Sequence, residues 1–204
     1  MLASLLLLTG PAFAATITLD FEEEATDARS NGYVSAECGC VTFSHTNLSN
    51  ALHFANFGAQ GDGQALVVGD DDDGGGLVLD FLVPVSSLTL AFGNDDPSIV
   101  DQDDEAVLQA YAGATLLGEV HVALNANDLM DQTISISGLG AFDRAVFRYT
   151  DSIDEIVDNL VFETLPEPGP PVLAAFAAWA LYAIRAPRRS ARCTARGSCA
   201  ARPR

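Results

Sequence analysis

The apolar positions of this chain fall on alternate residues over short runs. In "TITLDF", Ile17, Leu19 and Phe21 share one face, and in "LVLDF" Leu77, Leu79 and Phe81 do the same. "SLTLAF" repeats the pattern with Leu88, Leu90 and Phe92, "QTISIS" with Ile134 and Ile136, and "RAVFRY" with Ala145, Phe147 and Tyr149. A period of two sets one face of an extended strand against a core and the other against solvent. With "VTFSH", "ALHFANF", "ALVVG", "AVLQAY", "LLGEVHV" and "EIVDNLVF", the pattern predicts about ten or eleven short strands punctuated by Gly, Asn and Asp. No segment before Pro166 sustains a helical stripe, and Ala123 to Met130 reads as a loop or a turn or two of helix. Strands without helices to cover a parallel sheet imply an all-β fold, an antiparallel β-sandwich of the jelly-roll type.

Two apolar segments break the alternation, one at each end. Leu2 to Leu8, a Gly10-Pro11 break and the small-x-small triplet ending in Ala12 and Ala14 have the form of a secretory signal peptide, although its n-region lacks a positive side chain. Near the other end, Val172 to Ile184 is apolar on every face, which predicts a hydrophobic helix. At about 1.5 Å per residue it reaches about 20 Å, short of a hydrocarbon core of about 30 Å, so snorkelling arginines would have to help it span. The organisation expected is a signal peptide at 1–14, a β-sandwich at 15–164, a sorting segment at 165–189 and a basic tail at 190–204.

Charge sharpens the division. All 28 acidic residues lie at or before Glu167, and seven of the ten basic residues, every one arginine, lie from Arg185 onward. Between Ala15 and Leu165 there are 27 acids against Arg29, Arg144 and Arg148, a net of −24. Such a body repels nucleic acid and anionic lipid and attracts cations. Nucleic acid is therefore excluded as a partner of the body.

The acids are also the candidate chemistry. Calcium takes six to eight oxygens from carboxylates, carbonyls and water, which acidic loops on a sandwich can supply. None of the acidic runs is an EF-hand: "DDDDGGG" lacks the closing glutamate and "DQDDEAV" lacks the glycine. Asp158 stands out, because in "EIVDNLVF" it shares parity with Ile156, Leu160 and Phe162 and is expected on the core side of the last strand. A buried carboxylate needs a partner. First and last strands of closed sandwiches are often neighbours, so Asp20, Glu22 and Asp158 are the expected ligands of a structural Ca²⁺; a hydrogen bond from a turn to Asp158 is the competing reading. His45, His53 and His121 fall on three different strands without metal spacing. No nucleophile elbow, Walker loop or dinucleotide fingerprint occurs, and a pair of carboxylates for glycoside hydrolysis carries no weight among so many acids. Cys38 and Cys40, in "ECGC", are either a local disulfide or free thiols at a hairpin; two cysteines without a histidine pair fall short of a zinc set.

Pro166, Glu167 and Pro168, then the apolar run, then Arg185, Arg188 and Arg189 resemble the tripartite PEP-CTERM sorting signal of Gram-negative exported proteins. The resemblance covers roughly Leu165 to Arg189, and the tail from Ser190 to Arg204 departs from it, since the family usually stops soon after the basic cluster. It implies recognition by an exosortase-type membrane peptidase, transient or retained anchoring in the inner membrane through 172–184, and delivery to the cell surface or extracellular matrix of an exopolysaccharide-making host. The body is similar to β-sandwich domains that precede this signal, through "ITLDFE" at its start and "IVDNLVFE" at its end, with "FGNDD" and "LQAYAG" between. The function expected is an exported, non-catalytic sandwich, structural or ligand-binding, with calcium as a stabiliser. The alternatives are a carbohydrate-binding module for matrix polysaccharide, which calls for an exposed aromatic platform, and a glycan-processing enzyme using paired carboxylates.

Overall fold

A computed structural model describes residues 14–166 except 59, 62, 70–73, 94–99, 101–102, 126, 128 and 151–154. Ala12, the residues from Glu167 onward and therefore the hydrophobic helix expected at 172–184 lie outside the described residues. Those described fall within one unit, Phe13–Pro166, and none of them is helical. Nor does any helix among them have the length and apolarity to cross a membrane. The segment 123–130 is a loop wherever it is described beyond the end of a strand.

Eleven strands are formed among these residues: β1 (Thr16–Leu19), β2 (Ala28–Arg29), β3 (Tyr33–Val34), β4 (Val41–His45), β5 (Leu52–Gly58), β6 (Gly63–Val68), β7 (Leu77–Gly93), β8 (Glu105–Ala112), β9 (Thr115–Ala123), β10 (Gln132–Tyr149) and β11 (Glu155–Thr164). Every pairing is antiparallel. Two strands, β7 and β10, are about three times the usual length because each serves two layers. The first half of β7 pairs with β4 (Phe43 opposite Leu79), and its second half with β11 (Phe162 opposite Leu88). Likewise β10 pairs with β7 from Gln132 to Phe147, with a break in register, but with β8 only from Arg144 onward.

The changes of layer fall where the sequence permits them. In β7 the partner changes around Pro84, which has no N–H to give a ladder and is tolerated at such a break. In β10 the register with β7 slips between Ser137 and Phe142, and Gly138 and Gly140 there take φ of 74° and 85°, a region costly for any residue with a Cβ. One layer is thus β3-β4-β7-β10-β8-β9. The other runs from β10 through β7 and β11 to β6, β5 and β2, with β1 beside the C-terminal half of β11.

The inward faces of both layers enclose a single apolar cluster. Aromatic rings meet across it: Phe81 with Phe162 at 5.0 Å, Phe92 with Phe147 at 5.6 Å and Phe21 with Phe43 at 5.8 Å. The alternation in "LVLDF", "SLTLAF", "QTISIS" and "RAVFRY" is the alternation of buried positions seen here. Burial of so many Phe and Leu side chains at about 25 cal/mol per Å² is the main source of stability, and Phe162→Ala costs about 3–5 kcal/mol.

The last strand departs from its expected parity. Asn159 takes φ 47° and the β11–β7 register slips between Asp158 and Val161, a one-residue bulge. The bulge resets the alternation, so that Val157, and not Ile156, joins Leu160 and Phe162 in the main core cluster. Asp158 is buried as expected, but it sits at the bulge and not in step with Leu160 and Phe162.

Candidate functional site

Two polar regions stand out, one at a turn and one on a sheet face. The turn follows β1. Phe21 takes φ 59° yet keeps its ring in the core, so the chain doubles back, and the Glu24 amide donates to the Phe21 carbonyl at 3.0 Å. This reversal sends Glu24 inward to 5% exposure. Its carboxylate accepts from Ser35 Oγ at 2.9 Å, from the Ala36 amide at 3.0 Å and from the Tyr33 hydroxyl. Burial first, and then the hydrogen bond to Glu24, push the Tyr33 hydroxyl above its ordinary pKa. Buried Gln64 closes the turn from the other side, its Nε2 donating to the carbonyls of Phe21 and Glu24 and its backbone amide to Glu22 Oε1 at 2.7 Å.

Outside this buried knot lies an open pocket of about 320 Å³ lined by Asp20, Glu22, Glu23 and Glu37. Glu37 Oε2 accepts the Asp20 amide at 3.1 Å. The Glu23 backbone lies near enough to favour the charged carboxylate, yet Oε1 is buried and makes no hydrogen bond of ordinary geometry among the described residues. Burial, and then the charge of Asp20, raise the Glu37 pKa. Cys38 and Cys40 form a disulfide immediately after it, settling the alternative left open by the sequence.

Of the residues expected to hold calcium, Asp20 and Glu22 meet in this pocket, whereas Asp158 is not among its lining residues. Asp158 accepts from the Asn159 amide at 2.6 Å and from Asn159 Nδ2 at 3.1 Å, contacts that the bulge makes possible. The acids that accompany Asp20 and Glu22 are Glu23 and Glu37. Among the described residues no group of three or more His, Cys, Asp or Glu side chains is arranged to hold a metal. Of the sorting and cleavage residues, Ala14 and Pro166 are described, and both are exposed.

The second region is the outer face of the layer containing β8 and β9. Across β8, β9, β10 and β7 the cross-strand pairs Gln109–Glu119, Tyr111–Arg144 and Arg144–Asp80 place these side chains on one face. Arg144 grips Asp80 with two hydrogen bonds, Nε to Oδ1 at 2.6 Å and an Nη2 to Oδ2 at 3.2 Å, and this carboxylate raises the guanidinium pKa. Beside the pair runs an open groove of about 330 Å³ lined by Asp80, Phe81, Gly113, Ala114, Asp143 and Arg144. Asp143 Oδ1 accepts the Gly113 amide at 2.8 Å, tying the β8–β9 hairpin to β10. Half-buried Tyr111 adds an aromatic ring, its hydroxyl donating to Gln109 Oε1 at 2.8 Å, and Gln109 Nε2 donates to Glu119 Oε2 at 3.0 Å. His121 completes the row, its Nδ1 2.7 Å from Glu105 and its Nε2 3.5 Å from Glu119. The hydrogen bond to Glu105 raises the His121 pKa, and the Gln109 amide, then His121, lower that of Glu119.

Tyr111 and Arg144 do not figure among the site residues expected from the sequence. A signal was present: in "DRAVFRY", Arg144 and Arg148 have parity opposite to Ala145, Phe147 and Tyr149, which puts two of the body's three basic residues on one outer face.

No family model matches the chain, and no curated protein matches it. Several solved structures are similar. One holds the CBM22-1 and GH10 modules of endo-1,4-beta-D-xylanase 10B from Clostridium thermocellum with xylohexaose, at 10% identity and a TM-score of 0.41; the match covers 62% of this chain but only 26% of that one. The module CsCBM6-3 from Clostridium stercorarium, in complex with cellobiose, is 14% identical over 72% of this chain and 92% of its own, with a TM-score of 0.38. A Stig cyclase, Fisc, from Fischerella sp. TAU is 15% identical over 81% of this chain and 93% of its own, at 0.40. These likenesses are too distant to bear on function, which rests on the two regions just described.

Proposed function

We propose that this protein is an exported, non-catalytic β-sandwich that works by binding, and that extracellular polysaccharide is its ligand. The observation that carries the reading is the outer face around Arg144, where donors and acceptors are already paired in fixed geometry beside an aromatic ring and an open groove. Hydroxyl-rich ligands suit such a surface: bidentate Arg and Asp exchange hydrogen bonds with neighbouring hydroxyls, and a Tyr face packs on the apolar side of a sugar ring. The acid excess of the body disfavours polyanions and so favours neutral chains. At this groove paired-carboxylate hydrolysis is not proposed, because Asp80 is gripped by Arg144 and Asp143 by the Gly113 amide. Electrophoresis through gels containing neutral polysaccharides tests the idea. Retardation of the wild type, lost in Tyr111→Ala and Arg144→Ala, is expected; equal mobility in every gel would overturn it.

A stabilising calcium is proposed at the pocket lined by Asp20, Glu22, Glu23 and Glu37, whose carboxylates would have to draw together around the ion, since no three of them are arranged as ligands in this structure. Millimolar Ca²⁺ is expected to raise the melting temperature, and an unchanged melt would remove the metal. Delivery is proposed to run through the signal peptide and the PEP-CTERM-like segment to an exosortase-type peptidase at the inner membrane. Mass spectrometry of the mature protein is expected to find both termini trimmed; a C-terminus retaining 172–204 would leave a simple anchor instead.

A further inference from the structure

Among the described residues β9 pairs only with β8, and at nine residues it is a long open sheet edge. Its pairing with β8 is regular from Gly118 to Ala123, beyond a one-residue bulge at Leu117, and this regular stretch carries no proline or lysine, two of the devices by which exposed edges are usually blunted. On its inner side Val120 and Val122 are only half-covered, packing against the core cluster together with Leu117 and Leu139. On its outer side stand Glu119 and His121, which also pair within their own chain, His121 with Glu105 and Glu119, and Glu119 with Gln109, so that a second copy would extend this polar row. These two are spaced so that the strand is complementary to itself. Paired antiparallel with a second copy about Val120, each His121 faces the partner's Glu119. The same register puts Val120 against the partner's Val120 and Gly118 against the partner's Val122. Any shift of one residue loses both charge pairs and turns the valines away from one another.

We propose that β9 is a self-association edge, through which two copies of this chain join their β8–β9 layers into one continuous antiparallel sheet with a two-fold axis at Val120. The occupant is a second copy because the edge matches its own sequence in both charge and apolar pattern, and because isologous contacts need this kind of self-complementarity. Repulsion between two bodies of −24 opposes the contact and is screened over about 8 Å at physiological ionic strength. The dimer is therefore expected to strengthen with salt.

The test uses the full chain in mild detergent, which masks the apolar run at 172–184, and follows mass by light scattering over a concentration series. A concentration-dependent dimer is expected, with Val120→Lys reducing the dimer fraction at least tenfold. Val120→Cys should cross-link through a reducible disulfide well above the level of wild type and of Leu48→Cys, an exposed site far from the edge. Glu119→Lys should weaken the dimer, because the register then sets the new cation against the partner's His121. A wild type that stays monomeric at high concentration and salt, or a Val120→Cys chain that cross-links no better than Leu48→Cys, would overturn the proposal. Neither result touches polysaccharide binding at the Arg144 groove, which gel retardation reads separately.

Discussion

The turn after β1 and the outer face around Arg144 are both built from carboxylates, yet they use them in opposite ways. At the turn Glu24 is inside the protein and its partners are short-range: Tyr33, Ser35 and the Ala36 amide, from the segment that follows. On the sheet face Asp80 is exposed to solvent, and its partner Arg144 is 64 residues away in sequence. The first arrangement holds a loop shape and leaves little freedom for ligand. The second holds little, because exposed pairs contribute roughly 0–1 kcal/mol, but it presents ordered polar groups to whatever lies outside. The contrast separates polar residues that make the fold from polar residues free to serve it.

The sharpest way to break this contrast is Glu24→Ala, which strands the Tyr33 hydroxyl and two further donors inside the turn. A loss of about 2–4 kcal/mol is expected from several orphaned buried donors, read as a fall in the midpoint of denaturant unfolding; a change below about 0.5 kcal/mol would refute the buried role. Glu37→Gln comes next and has the opposite sign. Because the folded pKa of Glu37 is raised, the native state holds its proton longer than the unfolded chain, so stability declines as pH rises from the ordinary carboxylate value through the raised one. Without Ca²⁺ the substitution should therefore raise the melting temperature at pH 7, and with Ca²⁺ it should abolish the calcium response. Arg144→Ala is expected to lower stability by about 1 kcal/mol or less while removing polysaccharide retardation, so a large destabilisation would place it with the turn. The smallest effect belongs to His121. Its raised pKa means that its contribution is complete below about 6.5 and is lost as pH climbs through the folded value, so an NMR titration should place its midpoint above the ordinary one. In Glu105→Gln that midpoint should move back down.

The strands were readable because one buried face enforces alternation, as in β7 and β10, where Leu77, Leu79, Leu88, Leu90, Ala145 and Phe147 all reach the core. The bulge at Asn159 was not, since one extra residue shifts parity without altering the hydrophobic pattern, and it shows only in the left-handed φ of Asn159 and the slipped β11–β7 register. Asp20 and Glu22 line one pocket because they are neighbours on one turn. Glu37 joins them through the turn's three-dimensional path, and Asp80 joins Arg144 through the β7–β10 register. Neither juxtaposition leaves a trace in linear spacing.

Strand β11 has a further consequence. It is clamped on one side by β7 and on the other by β6 and then β1, and the chain leaves it directly toward Pro166. Tension entering at Pro166 therefore pulls along the strand axis, loading the ladder bonds on both flanks in shear and not peeling them one at a time. A body tethered by its C-terminal end and tugged by a surrounding polymer would meet that force with the part of the sandwich best placed to resist it.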